Sequence, residues 1–365
     1  MNTILNLIKV ATVGVTIILA AESSLAKKGA FKSDVDALKE NYKSLVAQLE
    51  KAKFTGAIVI ARQNEDSFFA GFGGKATVTG KPDSMTLVDI GSISKTVTAV
   101  AILRLLDQGE LSMSDRISQF FSNVPKEKLG ITIHQLLTHS SGLRHEVAKD
   151  GDGISKSEFL KRAMSSDLLF EPGEKYEYSN VGYSLLAAII EQVSQTSYEE
   201  FVRETLLKDI NVPSIGYEAA YTSKDSILTP AGETIKQNSW GGAPKWELIG
   251  NGGMIATPTD LITFLKWLNG GKIISPSSLE LFRTSHIREG RLPSYYGYGV
   301  VVEDHPKHGR IYWHNGGNGI FSATWAHYLD HDLIIVTASN SPKLNSDKVE
   351  SLIMKELLMY SSEAK

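Results

Sequence analysis

The placement of β-rich segments at both ends of the chain, with helical periodicity between them, limits the fold more than any other feature. FTGAIVIARQNEDSFFAGFGG, from Phe54, contains two β-rich runs separated by the polar stretch Gln63–Asp66 and predicts a hairpin. Near the far end, YGYGVVVEDHPKHGRIYWHNGG, FSATWAHYL and DLIIVTASN predict three or four more strands, and Ser346 to Tyr360 predicts a closing helix. From Thr96 to about Arg283 the apolar spacing is mostly helical and is broken by Gly and Pro turns. An earlier helix over Ser33 to Lys53 follows from Val35, Leu38, Tyr42, Leu45, Val46 and Leu49, spaced by three and four. Strands from both termini bury a common face by joining, so the chain is expected to be α/β (α+β): one mixed sheet with a helical lobe inserted into it. No internal repeat or linker divides the chain. A single domain is therefore expected over 27–365, with a sheet lobe at about 27–90 and 290–365 and a helical lobe at about 96–285.

Composition narrows the chemistry. At 365 residues and 42% hydrophobic, the chain can build a large core. A net charge of −3 leaves no basic stripe for nucleic acid. There is no cysteine, so disulfides, thiol nucleophiles and cysteine metal sites are excluded together. Nine histidines invite a metal, but no His-Glu-x-x-His occurs, and His134 and His139 lie in a loop-like stretch, so no metal is expected. The apolar run from Val10 to Ala21 is about a dozen residues, short of the roughly 20 that span a bilayer. Followed by Ser24-Leu25-Ala26, it predicts a secretory signal over residues 1–26 and a secreted or periplasmic protein. Membrane attachment is expected only if that segment stays uncleaved.

Three short motifs carry the chemistry. In DIGSISKTVTAVAILRLLDQGEL, from Asp89, Ser92 and Lys95 stand three apart at the start of a helix. Ser92 can be a plain N-cap, but a capping box places Glu or Gln at the third position, and Lys95 has the wrong sign for the positive helix end. That same field, with burial, disfavours the ammonium and suits a neutral amine that takes a proton from the serine hydroxyl. The spacing alone is cheap, because Ser24 and Lys27 share it. The second motif, Tyr178-Ser179-Asn180, precedes a helix that Ser179 or Asn180 can cap; alternatively a phenol relays a proton while an amide holds a substrate carbonyl. In the third, His314-Asn315-Gly316-Gly317 ends a strand, and its glycines allow either a plain hairpin or close approach of a ligand to a backbone donor. A rival, Lys307-His308-Gly309, reads as an exposed turn. No Gly-x-Ser-x-Gly elbow of an α/β-hydrolase is present.

With the three motifs in this order, the chain resembles the β-lactamase-related family of penicillin-recognising serine hydrolases, which holds class C β-lactamases, DD-peptidases, D-aminopeptidases and a group of esterases. The likeness runs from about Phe54 to Asn340 and includes LLTHSSGL from Leu136 and GNGGMIATPTDLITFLKWL from Gly250. It implies a β-lactamase/transpeptidase-like fold, an antiparallel sheet flanked by helices with a mainly helical lobe, and a site in the cleft between them. It also implies that Ser92 is the acylated nucleophile, Lys95 its base and Tyr178 the proton shuttle, first to the leaving group and then for the deacylating water. Asn180 then orients the substrate, His314 stands where many relatives have lysine, and the amides of Ser92 and Gly317, beside Gly316, form an oxyanion hole. No cofactor is implied, and the expected substrates are small esters, D-amino-acid peptides or β-lactam-like amides. Histidine in place of a permanent cation makes ester or D-peptide hydrolysis a better expectation than efficient β-lactam hydrolysis. A non-catalytic cell-wall or penicillin-binding protein is the alternative, and retention of Ser92, Lys95 and Tyr178 speaks against it.

Overall fold

The computed structural model describes residues 6–11, 15–21, 43–51, 53–64, 67–73, 86–217, 245–318, 321–341 and 344–363. Its framework is a ten-stranded sheet, antiparallel throughout. In chain order the strands are β1 (Asn6–Ala11), β2 (Val15–Ala21), β3 (Gly56–Arg62), β4 (Ser67–Gly73), β7 (Ile287–Arg288), β8 (Tyr295–Tyr296), β9 (Val301–His305), β10 (Gly309–Gly317), β11 (Ser322–Tyr328) and β12 (Leu333–Ser339). A separate two-stranded pair joins β5 (Val88–Asp89) to β6 (Ile255–Ala256). In space the large sheet runs β1-β2-β4-β3-β12-β11-β10-β9-β8-β7, so the N-terminal hairpin β3–β4 joins the C-terminal strands through β12. This is the union of the two ends that the strand pattern implied, except that the sheet is antiparallel rather than mixed: β3–β4 and the run from β7 to β12 connect neighbouring strands in succession, and β12 pairs antiparallel with β3 where the two ends meet. β1 and β2 fall within residues 1–26 and extend the edge beyond β4, at the other side of the sheet from β10.

Helix α1 (Lys43–Lys51) precedes β3; the first part of the helix expected from Ser33 lies outside the described residues. Between β5 and β7 come α2 (Ser94–Asp107), α3 (Ile133–Leu137), α4 (Lys156–Ser165), α5 (Asn180–Ser194), α6 (Tyr198–Phe201), α7 (Pro258–Asn269) and α8 (Pro276–Arg283), and α9 (Ser346–Glu363) closes the chain. Period-two alternation assigns the strand residues to two cores. Ala57, Val59 and Ala61 of β3 face the core shared with the helical insertion, whereas Ile58 and Ile60 face a smaller core with Leu49 of α1 and Val349 and Ile353 of α9. Small residues on the first face let α7 lie close to β3 and β12. Helix α2 is buried on nearly every side, with Val97, Val100, Ala101, Ile102 and Leu103 all closed off from water. At about 1.5–3 kcal/mol for each buried Val, Leu or Ile, it is a fixed platform, with Lys95 on its first turn.

Candidate active site

After β5 the chain turns sharply at Gly91, whose φ of +47° lies in the left-handed region, and passes through a short 3-10 turn, Gly91–Ile93, into α2. Asp89 Oδ1 accepts the Gly91 N–H at 2.7 Å, and Ser94 Oγ donates to the Gly91 carbonyl at 2.7 Å. Neither the turn nor α2 carries a side-chain cap, so the N-cap reading of Ser92 is overturned. Its hydroxyl is turned toward Lys95 instead.

Lys95 is completely buried. Its Nζ lies 3.0 Å from Ser92 Oγ, donates to the Asn251 carbonyl at 2.6 Å, and stands 4.8 Å from the centre of the Tyr178 ring. Burial pushes the amine well below the ordinary lysine value, and Asp150 only partly opposes this. Tyr178 reaches the same point from the other side, with its hydroxyl hydrogen-bonded to Ser92. Burial raises the phenol above its ordinary value, moderated by that bond, so it holds its proton at neutral pH. Three side chains from two distant segments therefore meet at one oxygen.

Ser179 is the cap of α5: its Oγ accepts the Gly182 N–H at 3.1 Å and donates to the Arg144 carbonyl at 2.7 Å. That leaves Asn180 free of the capping duty. Its Nδ2 is 3.4 Å from His145 Nε2, and its Oδ1 has no hydrogen-bond partner among the described residues.

On the opposite wall, β10 runs alongside the Ser92 turn. A Cβ on Gly316 would stand 2.2 Å from the Ile90 carbonyl oxygen and 2.5 Å from the Ser92 nitrogen, and one on Gly91 would stand 2.6 Å from the Gly317 nitrogen. The two backbones approach this closely because both positions lack side chains. The resulting cleft, about 360 Å³, is lined by Ser92, Tyr178, Asn315, Gly316, Gly317, Ser322, Ser346 and Asp347.

His314 does not line that cleft. Its ring is buried, with Nδ1 donating to the Asn315 carbonyl at 2.6 Å and Nε2 accepting from the Tyr296 hydroxyl at 2.9 Å. Burial, then the proximity of Lys95, lowers it to about 3, so it is a neutral ring bracing β10 against β8. Of this motif it is the following residues, Asn315, Gly316 and Gly317, that line the cleft. The difference is one of packing: the His314 ring, 3% exposed, is closed off against Tyr296, whereas the Asn315 side chain is exposed. The rival Lys307-His308-Gly309 sits at the turn into β10, roughly 26 Å along the strand from Gly317.

Several participants escaped the sequence reading. Asn251 acts through its main chain and leaves no side-chain signature, although it lies in the quoted GNGGMIATP stretch. Tyr296 and Asp347 become neighbours of the site only through folding. His139, weighed above only as a metal ligand, packs its ring 4.2 Å from that of Tyr178. Among the described residues no group of three or more His, Asp or Glu side chains is arranged to hold a metal ion, and no helix is long and apolar enough to cross a membrane.

The Beta-lactamase family profile matches residues 42–356. The chain belongs to that family. It is 27% identical over 337 residues to penicillin-binding protein 4* of Bacillus subtilis (strain 168), covering 84% of this chain and 72% of the relative. In structure it resembles the octameric penicillin-binding protein homologue from Pyrococcus abyssi, with a TM-score of 0.73 and 25% identity over 88% of this chain and 77% of the other. The D-amino acid amidase from Ochrobactrum anthropi SV3 shares the fold at 17% identity and a TM-score of 0.74, over 90% of this chain and the whole of that one. The chain is thus a β-lactamase-related member of the serine hydrolases, with a β-lactamase/transpeptidase-like fold.

Proposed function

We propose that the protein is an exported serine acyl-hydrolase that works through an acyl-enzyme on Ser92 and prefers small esters or amine-bearing D-peptides to β-lactams. One observation carries this reading: a fully buried lysine amine lies 3.0 Å from the serine oxygen. With Asn251 taking one of its hydrogens, the neutral amine keeps a lone pair for the Ser92 proton. Oγ then bonds to the substrate carbonyl carbon, and the developing oxyanion lies between the N–H groups of Ser92 and Gly317. As the tetrahedral species collapses, the bond to the leaving group breaks. The Tyr178 phenol supplies the leaving group's proton and regains one from the Lys95 ammonium beside it. In the second half water attacks the ester carbonyl, gives its proton to the same pair, and Oγ leaves as the hydroxyl. No step needs a metal or cofactor.

The substrate preference rests on charge. Burial holds Lys95 well below the ordinary lysine value and His314 down at about 3, and among the described residues lining the cleft the charged one is Asp347, a carboxylate. A substrate carboxylate finds no permanent cation there, whereas a neutral ester or an amine-bearing peptide meets no repulsion. Turnover of p-nitrophenyl butyrate, a D-Ala-D-Ala peptide and nitrocefin tests this directly. The ester is expected to exceed nitrocefin in kcat/KM by at least tenfold; the reverse order would contradict the preference while leaving the acyl-enzyme untouched.

A further inference from the structure

His139 is completely buried, and its backbone adopts a left-handed conformation with φ of +56°, which costs a residue with a Cβ about 1 kcal/mol or more. That conformation lets two of its groups face the segment carrying Tyr178. The His139 carbonyl accepts the N–H of Glu177 at 2.8 Å, and Nδ1 of its ring accepts the N–H of Ser179 at 3.0 Å. The residues before and after Tyr178 are thus both fastened to one histidine. The imidazole also lies against the tyrosine ring, with centroids 4.2 Å apart and planes inclined by 33°. Neighbouring main-chain bonds extend the tether, from Gly173 to the Ser140 carbonyl at 2.7 Å and from Leu169 to the Gly142 carbonyl at 2.8 Å. Those bonds hold the loop, and the His139 bonds fasten the residues on either side of Tyr178, whose own carbonyl accepts from His145 Nδ1 at 3.1 Å.

We propose that His139 is the positioning residue for Tyr178, bracketing it through the amides on either side so that the phenol points at Ser92 and Lys95. This rests on the reading of Tyr178 as the acid that protonates the leaving group. The bracket works in one protonation state. Because Nδ1 accepts a hydrogen bond, the ring is neutral and its proton is on Nε2, which is buried near Tyr183 and Tyr296 without a partner among the described residues. An imidazolium would set two donors against each other at Ser179. Burial, with Lys95 and His314 nearby, holds the ring well below the ordinary histidine value and keeps the acceptor available.

The experiment compares His139→Asn, whose Oδ1 can stand where Nδ1 stands and which tolerates a left-handed backbone, with His139→Gln, whose oxygen falls near the Nε2 position. Gln195 holds a φ of +57° in this same chain, so glutamine can accept that backbone too. For each variant, kcat/KM is measured with p-nitrophenyl butyrate and with phenyl butyrate, alongside Tm and the reference variant Tyr178→Phe. The poorer leaving group depends more on proton donation, so Tyr178→Phe should lose at least tenfold more on the phenyl ester than on the nitrophenyl ester. His139→Gln should reproduce that split, and His139→Asn should stay within about tenfold of the parent on both esters. If Tyr178→Phe shows no split, the reading of Tyr178 falls and the proposal with it. If Tyr178→Phe splits the esters while folded His139→Gln loses equally on both, or folded His139→Asn behaves like Tyr178→Phe, the positioning role alone is overturned.

Discussion

A lysine amine shut away from water beside a serine hydroxyl is a costly arrangement, and the cost has a pH signature. The folded-state value for Lys95 lies below 10.5, so unfolding takes up a proton, and stability should rise with pH from the lowered value toward 10.5. Lys95→Met should flatten that rise in urea melts run from pH 7 to 10 while reducing turnover at least a thousandfold. A variant whose melts keep the wild-type pH slope would show that Lys95 is not the group responsible. In activity the sign is the same: kcat/KM should fall on the acid side as Lys95 becomes protonated, with a midpoint well below that of free lysine. On the opposite wall the decisive residue has no side chain. Gly316→Ala would push a methyl group to 2.2 Å from the Ile90 carbonyl and must displace either β10 or the Ser92 turn. The expected loss is about 10²-fold or more in kcat, comparable with removal of an oxyanion donor, with the fold retained by circular dichroism. Near-normal activity would mean that the backbone of Gly316–Gly317 does not form the site.

Among the elements, α2 holds Ser92 and Lys95 in register, and α9 closes the outer face of the sheet that carries β10. Glu350 of α9 bonds to the Tyr328 hydroxyl of β11 beside Glu303, which itself accepts Trp313 Nε1 at 3.2 Å. Burial and the nearby Glu303 raise the Glu350 carboxyl to about 7. Its folded value lies above its unfolded one, so the folded chain holds the extra proton, and stability is lost as pH rises through about 5 to 7. Glu350→Gln should therefore be more stable than the parent at pH 8, by on the order of 2 kcal/mol, and closer to it at pH 5. Equal stability at both values would place the carboxylate in water. The hairpin β3–β4, strands β9 to β12 and the major helices were legible because their apolar periodicity is strong, as in AIVIA of β3 and LIIVTAS of β12, whereas β1 and β2 and the two-residue strands β5 to β8 were not. Strand direction was not, since periodicity reports which face is buried and not which neighbour pairs. For the same reason His314 was legible as a residue beside a glycine edge, while the burial of its ring against Tyr296 depended on tertiary packing that the motif alone did not resolve.

Taken whole, the molecule brings Ser92, Tyr178 and Gly317 together from segments 86 and 139 residues apart in the chain. Order and spacing of three motifs were enough to name those residues in advance, because each motif ties its chemistry to a helix start or a strand end. His139, Asn251 and Asp347 were beyond that method: one acts through its ring and carbonyl on a neighbouring loop, one through a carbonyl, and one by meeting the cleft from the last helix. The proposed export is also tested on the whole chain. Expressed with its native N-terminus in a bacterium, the protein should appear outside the cytoplasm beginning at Lys27, as read by intact mass; a cytoplasmic chain retaining residues 1–26 would contradict the signal. The central claim, that Ser92 becomes acylated, is tested most directly by treating the purified protein with a fluorophosphonate or penicillin-type probe and weighing it intact. One adduct is expected on the parent, located at Ser92 by peptide mapping, and none on Ser92→Ala; an adduct that persists on Ser92→Ala would contradict the account.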